Sequence, residues 1–434
     1  MENILARAGH YFLRYYLLLL LLFAGYRALE LHPRFYRSVL WSDSEGYYLY
    51  LPALFINGGF EDLPVRTEVQ FPMYEDTNKR FTKYTCGLAM MELPFFLGGH
   101  ALTLATGGEA DGYSHYYVRA LQLAALVYAF LGLLLLKRLL EKHFSRGVTF
   151  LTIVGLFLGT NLYHYVIQEP SMSHVYSFFL FACFVWLTPT FYQRPGWKIF
   201  ALMGGLLGLI VLIRPTNLLI LLYLLLYDIR SRAEAVERVR FIGRHFKALL
   251  VAPVASFLFF IPQFWYWKYI SGDWLIYSYG EEGFNWLNPR IDMVLFHVRN
   301  GWLYYSPMAG LCILGCLLGC WKNRYNIAPI FLIWALLLYI TASWWNWWFG
   351  GAFGHRNFVE YFLLLAFPYA WLFTQVLESR WTPPKIILLA LWFFLIYYGY
   401  MLAVYYPGGL YEEWSLEVAW EHMWEFDFST HYEK

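Results

Sequence analysis

Long apolar runs separated by short polar turns set the pattern of this chain. The runs near residues 11–29, 117–138, 148–166, 172–190, 248–270, 302–320, 326–343, 357–377 and 386–405 approach the roughly 20 residues that a helix needs to cross a bilayer. Two shorter runs, 198–213 and 215–228, meet at Arg214-Pro215 and predict a helix interrupted at membrane depth. The first run is too long for the apolar part of a signal peptide, and no small-residue cleavage site follows, so it predicts an uncleaved first span. Leu88 to Thr106 is also apolar, but Glu92, Pro94 and His100 within it predict a helix lying at the interface.

Charge supports that choice. As a span, residues 88–106 would put the basic segments 137–146 and 229–247 outside, against the positive-inside rule. With it at the interface, the N-terminus is cytoplasmic and the C-terminal tail is outside. The cytoplasmic side then holds 18 Lys/Arg and 6 acids, and the outer side 14 and 24. The expectation is an all-α polytopic membrane protein of about 11 transmembrane helices, forming a single domain over residues 1–434. Its first outer loop, 30–116, carries interfacial helices and is much longer than ordinary connections, which marks it as functional. Its tail, 406–434, mixes acids with tryptophans and suits an interfacial cap.

Composition agrees: 59% of residues are hydrophobic and 14% charged, against about 25% charged in soluble chains. The sequence has no G-x-S-x-G, P-loop, H-E-x-x-H or G-x-G-x-x-G motif, and no basic stripe for nucleic acid. Cys312, Cys316 and Cys320 share a helix face, but match no zinc or iron–sulfur spacing. They read as soft packing residues beside the Gly315/Gly319 GxxxG pair.

The chemistry-bearing residues concentrate on the outer face. WSDSEGYYLYLPALF (41–55) puts Asp43 and Glu45 just beyond the first span; the plain alternative is a solvated helix end or an N-cap. In TNLYHYVIQEPSMSHVYSFF (160–179), Glu169, Ser171, Ser173 and His174 share a short outer turn, with Ser171 placed to cap the next helix. Arg214 lies near membrane depth, where a charge is costly and marks function by default; its planar fork suits phosphate, and snorkelling is its alternative. SWWNWWFGGAFGHRNFVEYF (343–362) leads through glycines to His355-Arg356. Arg356 is a second phosphate candidate, with an ion pair to Glu360, four residues on, as its competitor. Asp43, Glu45 and Glu169 together could hold Mg²⁺ or Mn²⁺.

This order resembles the GT-C superfamily of integral-membrane glycosyltransferases: an acidic motif after the first span, interfacial helices in a long outer loop, an acid after the third span, an Arg-Pro hinge and a late outer arginine. Protein O-mannosyltransferases and the aminoarabinose transferases of lipid A are relatives, and the run S-D-x-E-G-Y-Y-L-Y-L-P is similar to that of uncharacterised Bacteroidetes-type members. The resemblance implies a polyprenyl-phosphate-linked sugar donor used on the outer face of a bacterial inner membrane. It implies Asp43 as general base, Glu169 as the second-loop acid and inversion at the anomeric carbon. The mannosyltransferases often carry adjacent Asp-Glu where this chain has Asp-Ser-Glu, which sets Glu45 apart. Arg214 and Arg356 fall where the donor phosphate would lie, and Tyr47, Lys83, His174, His355 and Glu360 are the expected substrate-binding or supporting residues. No cofactor is expected, with a divalent ion the alternative; the partners are the lipid-linked donor, a hydroxyl acceptor on protein, lipid or glycan, and membrane lipid. A flippase of lipid-linked sugars and a lipid-linked glycan polymerase or ligase are the competing readings.

Overall fold

The computed structural model describes residues 2–35, 39–65, 70–75 and 77–405. Among them the chain is helical, with only isolated β-bridges. A long α1 (Glu2–Phe35) is followed by the short α2 (Asp43–Tyr48), then α3 (Gly87–Ala105) and α4 (His115–Leu140). Next come α5 (Arg146–Leu158), α6 (Leu162–Ile167), α7 (Ser173–Gln193), α8 (Trp197–Ile213) and α9 (Ile220–Leu226). Helix α10 (Arg232–Leu249) meets α11 (Val251–Ser271) at a 55° bend, and α12 (Met308–Gly319), α13 (Ile327–Ser343), α14 (Phe362–Leu377) and α15 (Thr382–Tyr405) complete the bundle.

Six of these helices are long and apolar enough to cross a membrane, or up to seven if the bent α10–α11 pair is one span. The other expected spans form apolar helices of 10–17 residues. The run 148–166 shows why. Its helix ends at Leu158, and the N–H of Asn161 is taken by the Ser306 hydroxyl at 2.9 Å, so the chain restarts as α6. Likewise, Pro215 ends α8 because the residue before proline is pushed out of the helical region; Arg214 is extended at φ −149°, ψ 116°.

Helix α3 meets the length and apolarity of a span, and Glu92 does not lie on an exposed face as a surface helix would place it. It is fully buried, and its carboxylate accepts from Tyr176 at 3.1 Å. Helix α3 runs antiparallel along the N-terminal half of α4: the Tyr128 hydroxyl donates to Met91 O at 3.1 Å, and Gly99 lies so close to Tyr116 that a Cβ would sit 2.9 Å from its carbonyl.

Two apolar cores result. The larger gathers α1, α4 to α9 and α12 to α15. The smaller joins the 39–121 region to Tyr266, Trp267 and Ile270 at the end of α11. Small residues set the closest approaches, as packing without a hydrophobic drive between helices requires. Cβ atoms on Gly204 and Gly208 would come within 2.2 and 2.6 Å of Ala252 and Ser256 backbone, and one on Gly315 within 2.3 Å of Pro368 O. Cys312 and Cys316 are free and buried in the same contact. The tryptophan-bearing tail beyond residue 405 lies outside the described residues.

Candidate active site

Four breaks in the helical pattern supply the site: the start of α2, the α6–α7 turn, the end of α8 and the turn before α14. Each is a place where backbone leaves the helix, so a polar side chain can project from it without interrupting a span.

Asp43 opens α2. Ser42 holds the N-cap position with φ 53°, and no side chain caps the helix, so the carboxylate of Asp43 is not spent as a cap. One of its oxygens accepts from the Tyr84 hydroxyl and the other from Arg356 Nη2 at 2.5 Å. Burial opposes its ionisation, but the Arg356 guanidinium and the Tyr84 hydroxyl outweigh burial and hold the carboxyl below the usual aspartate value. Gly46 is required by this arrangement: a Cβ there would meet the Tyr84 ring at 2.3 Å and Phe71 at 2.8 Å. Glu45, two residues on, takes a different face of the helix and is fully buried.

Arg356 sits in a single 3-10 turn, Arg356–Phe358, after Gly354 at φ 61°. Its Nε is buried and finds no acceptor among the described residues. The neighbouring His355 directs Nε2 to Trp347 O at 2.7 Å. Burial lowers its pKa to about 3, with the Trp347 carbonyl opposing and Arg356 assisting, so it stays neutral. The competing Arg356–Glu360 pair does not form, because each has another partner.

Glu360 is fully buried beside the break in α8. His174 Nδ1 lies 2.9 Å from Glu360 Oε2, and Arg214 Nε lies 3.7 Å from Oε1. Arg214 also donates to Asn357 Oδ1 and reaches Ser173 Oγ and His174 Nε2, each at 3.4 Å. Pairing is how a buried carboxylate and guanidinium are tolerated. Both arginines expected to hold phosphate therefore already face a carboxylate. Tyr47 is buried beside the two groups: its ring lies 4.6 Å from that of Tyr84, and its hydroxyl is within electrostatic reach of Asp43, Arg214 and Arg356.

Glu169 lies in the α6–α7 turn with Oε1 3.6 Å from His164 Nε2, and His164 stacks on Phe353 at 4.4 Å. Tyr165 links this turn to the rest, since it feels both Glu169 and Arg356, and its ring lies 4.9 Å from His174. Ser171 does not cap α7: Met172 takes that position and no side chain caps it. Lys83 is half-buried, paired with Glu282 at 2.5 Å and 5.1 Å from the Tyr279 ring centre.

Among the described residues no three His, Cys, Asp or Glu side chains converge on a metal position; Asp43 faces a guanidinium and Glu169 a histidine. Three partners were not foreseen from sequence. Tyr84 and Asn357 carry no motif, and Glu282 belongs to a loop whose acids follow no distinct spacing. Asn357 alone had a signal, as the neighbour of Arg356.

The described residues form the all-helical bundle of a polytopic membrane protein, with its polar groups gathered where helices break. Its fold is similar to that of a solved structure, the oligosaccharyltransferase of Archaeoglobus fulgidus in the apo form, with a TM-score of 0.51 and 13% identity. The likeness covers 90% of this chain and 55% of that one, so this chain spans little more than half of its length. No protein-family model and no curated protein matches the sequence.

Proposed function

We propose that this protein transfers a sugar from a polyprenyl-phosphate-linked donor to an acceptor hydroxyl at the outer face of a bacterial inner membrane, with inversion at the anomeric carbon. The observation that carries the reading is the Asp43–Arg356 pair: a carboxylate and a guanidinium in contact, with a buried guanidinium N–H left over. A fold similar to that of a protein named as an oligosaccharyltransferase supports glycosyl transfer as the reaction class.

The chemistry follows from the two partners. A hydroxyl is a weak nucleophile, so Asp43 takes its proton as the acceptor oxygen bonds to the anomeric carbon. The bond from that carbon to the phosphate oxygen breaks, and polyprenyl phosphate leaves with the electron pair. Arg356 and Arg214 balance the growing phosphate charge, so the reading needs no resident metal. Tyr47 lies within electrostatic reach of both arginines.

The pairing also orders the steps. With Arg356 on Asp43 the carboxylate is a poor base, because its pKa is held down. A donor phosphate that takes over Arg356, starting at its unused Nε, leaves Asp43 buried without its cation. Burial then raises its basicity.

The test offers purified protein in lipid a panel of polyprenyl-phosphate sugars with an envelope extract as acceptor. It follows release of polyprenyl phosphate beside an Asp43→Asn control. Release by the wild type alone supports transfer, and the responding sugar names the donor. Donor movement across a vesicle membrane without release replaces this reading with a flippase.

A further inference from the structure

No residue of α10 is buried, yet the helix is neither mobile decoration nor a simple polar linker. Its residues divide into three arcs. Arg238, Phe241 and His245 face the bundle: the Arg238 guanidinium lies 3.5 Å from the Tyr192 ring centre and donates to Tyr227 O at 2.6 Å, Phe241 packs 5.1 Å from Tyr192, and His245 lies 6.1 Å from Phe200. Val236, Val239, Ile242 and Phe246 recur at helical spacing on a second arc and are 50, 70, 37 and 57% exposed. The third arc carries Arg240, Arg244 and Lys247, flanking the apolar stripe; Glu237 pairs with Arg244 and lies 3.7 Å from Arg240, both pairs exposed and so weak enough for a headgroup phosphate to displace.

The apolar stripe does not stop at the end of the helix. It continues through Leu250 into Val254, Phe257 and Leu258 of α11, all exposed by half or more. Helix α11 belongs to the pair that passes as a membrane span, so its exposed apolar flank faces acyl chains. A surface continuous with that flank belongs to the same medium. The 55° bend then turns α10 out of the span direction. Over α10, five Lys/Arg face two acids.

We infer that α10 is an interfacial helix that binds anionic phospholipid. Val236, Val239, Ile242 and Phe246 lie at the acyl boundary, and Arg240, Arg244 and Lys247 hold headgroup phosphates. Amphipathic helices with cationic flanks bind anionic leaflets in this way, and each basic residue adds about 1 kcal/mol at the surface, or roughly fivefold. The inference is independent of sugar transfer, and so is its test.

Full-length protein is placed in vesicles of equal phosphatidylglycerol and phosphatidylcholine, with a single nitroxide at Val239 or at Glu237 in a variant whose reactive native cysteines are replaced. The lipid retained on detergent extraction is weighed by native mass spectrometry for wild type and for R240Q/R244Q/K247Q. The expected result is a label at 239 open to oxygen and shielded from a water-soluble nickel chelate, with the reverse at 237. Wild type should retain phosphatidylglycerol in preference, and the triple variant should lose that preference while eluting as a folded monodisperse species. A 239 label as open to the nickel chelate as 237 overturns the inference, as does lipid retention without headgroup preference. Spin–spin broadening at 239 overturns it in favour of a second copy of the chain on this face.

Discussion

Replacing Asp43 by Asn removes one charge from a carboxylate whose two oxygens are both engaged, by Tyr84 and by Arg356. The amide oxygen still accepts from Tyr84, so the turn is kept, but the amide cannot take a proton from an acceptor hydroxyl. General-base catalysis contributes typically 10²- to 10⁴-fold, about 3–5 kcal/mol of barrier, and turnover should fall by that factor. The same change leaves Arg356 facing an amide. Breaking a fully buried pair costs about 3–5 kcal/mol; these side chains keep 15 and 17% of their exposure, so the loss of stability belongs at the low end of that range. The assay is polyprenyl phosphate release at saturating donor, with thermal unfolding measured in parallel. Arg356→Gln separates a base from a mere anchor for the arginine. Without the guanidinium only the Tyr84 hydroxyl and Lys83 oppose burial, so the pKa of Asp43 rises and the acid limb of kcat/KM moves to higher pH. A folded Asp43→Asn protein that keeps more than about a tenth of wild-type turnover refutes the base assignment. An acid limb unmoved in Arg356→Gln refutes the coupling.

Arg214→Ala should weaken binding of a non-transferable donor analogue by about 10- to 100-fold, the worth of hydrogen bonds to a charged group; unchanged affinity by calorimetry removes Arg214 from the donor site. Gly46→Ala forces a methyl into the Tyr84 ring and Phe71, so it should cost about 1–3 kcal/mol of stability and cut turnover by displacing Tyr84 from Asp43; a variant with wild-type unfolding and turnover would show that the contact is slack. Acid should destabilise the protein in two windows. His355 cannot take a proton in the folded state until about pH 3, whereas the unfolded chain takes one near 6.5. Stability is therefore lost as pH falls below about 6.5, by about 1.4 kcal/mol per unit. The Asp43–Arg356 contribution is present above about pH 4 and is lost as pH falls through the lowered folded value. His355→Gln should flatten the first window and Asp43→Asn the second in urea titrations, and coincident curves for wild type and either variant would contradict the assignment.

The sequence exposed where the chain would break but not what would cross the breaks. Arg214-Pro215 announces its own interruption, because proline acts on the residue beside it in the chain. Asp43, Glu169 and Arg356 stand out for the same reason, as charges at the ends of apolar runs. Their partners are decided by tertiary packing. Asp43 and Arg356 are 313 residues apart, His174 and Glu360 186 apart, and no periodicity encodes such a pairing. The local alternative, Arg356 with Glu360, obeyed helix spacing and failed because residues 356–358 form a 3-10 turn rather than part of an α-helix. Glu92 failed for a related reason. A carboxyl in an apolar helix reads as a surface residue, but Tyr176 from α7 supplies the hydrogen bond that lets it be buried. The run 148–166 reads as unbroken because hydropathy averages over the short break that follows Leu158.

On the proposed reading, the pairing of both arginines bears on how a phosphate site is held together before a donor binds. Two uncompensated, largely buried guanidiniums would be costly, so each needs an anion of the chain until a donor binds. Glu360 serves Arg214, and its complete burial makes that pairing structural. Asp43 serves Arg356, but it keeps some exposure and stands at the helix start where an acceptor would approach. A carboxylate that neutralises the cation in the empty site and is released when phosphate arrives needs no separate device to hold the base in check. Its basicity rises only with a leaving group in place. A site arranged so that Asp43 stayed free would be a stronger base at rest, and nothing would tie proton removal to the presence of the donor.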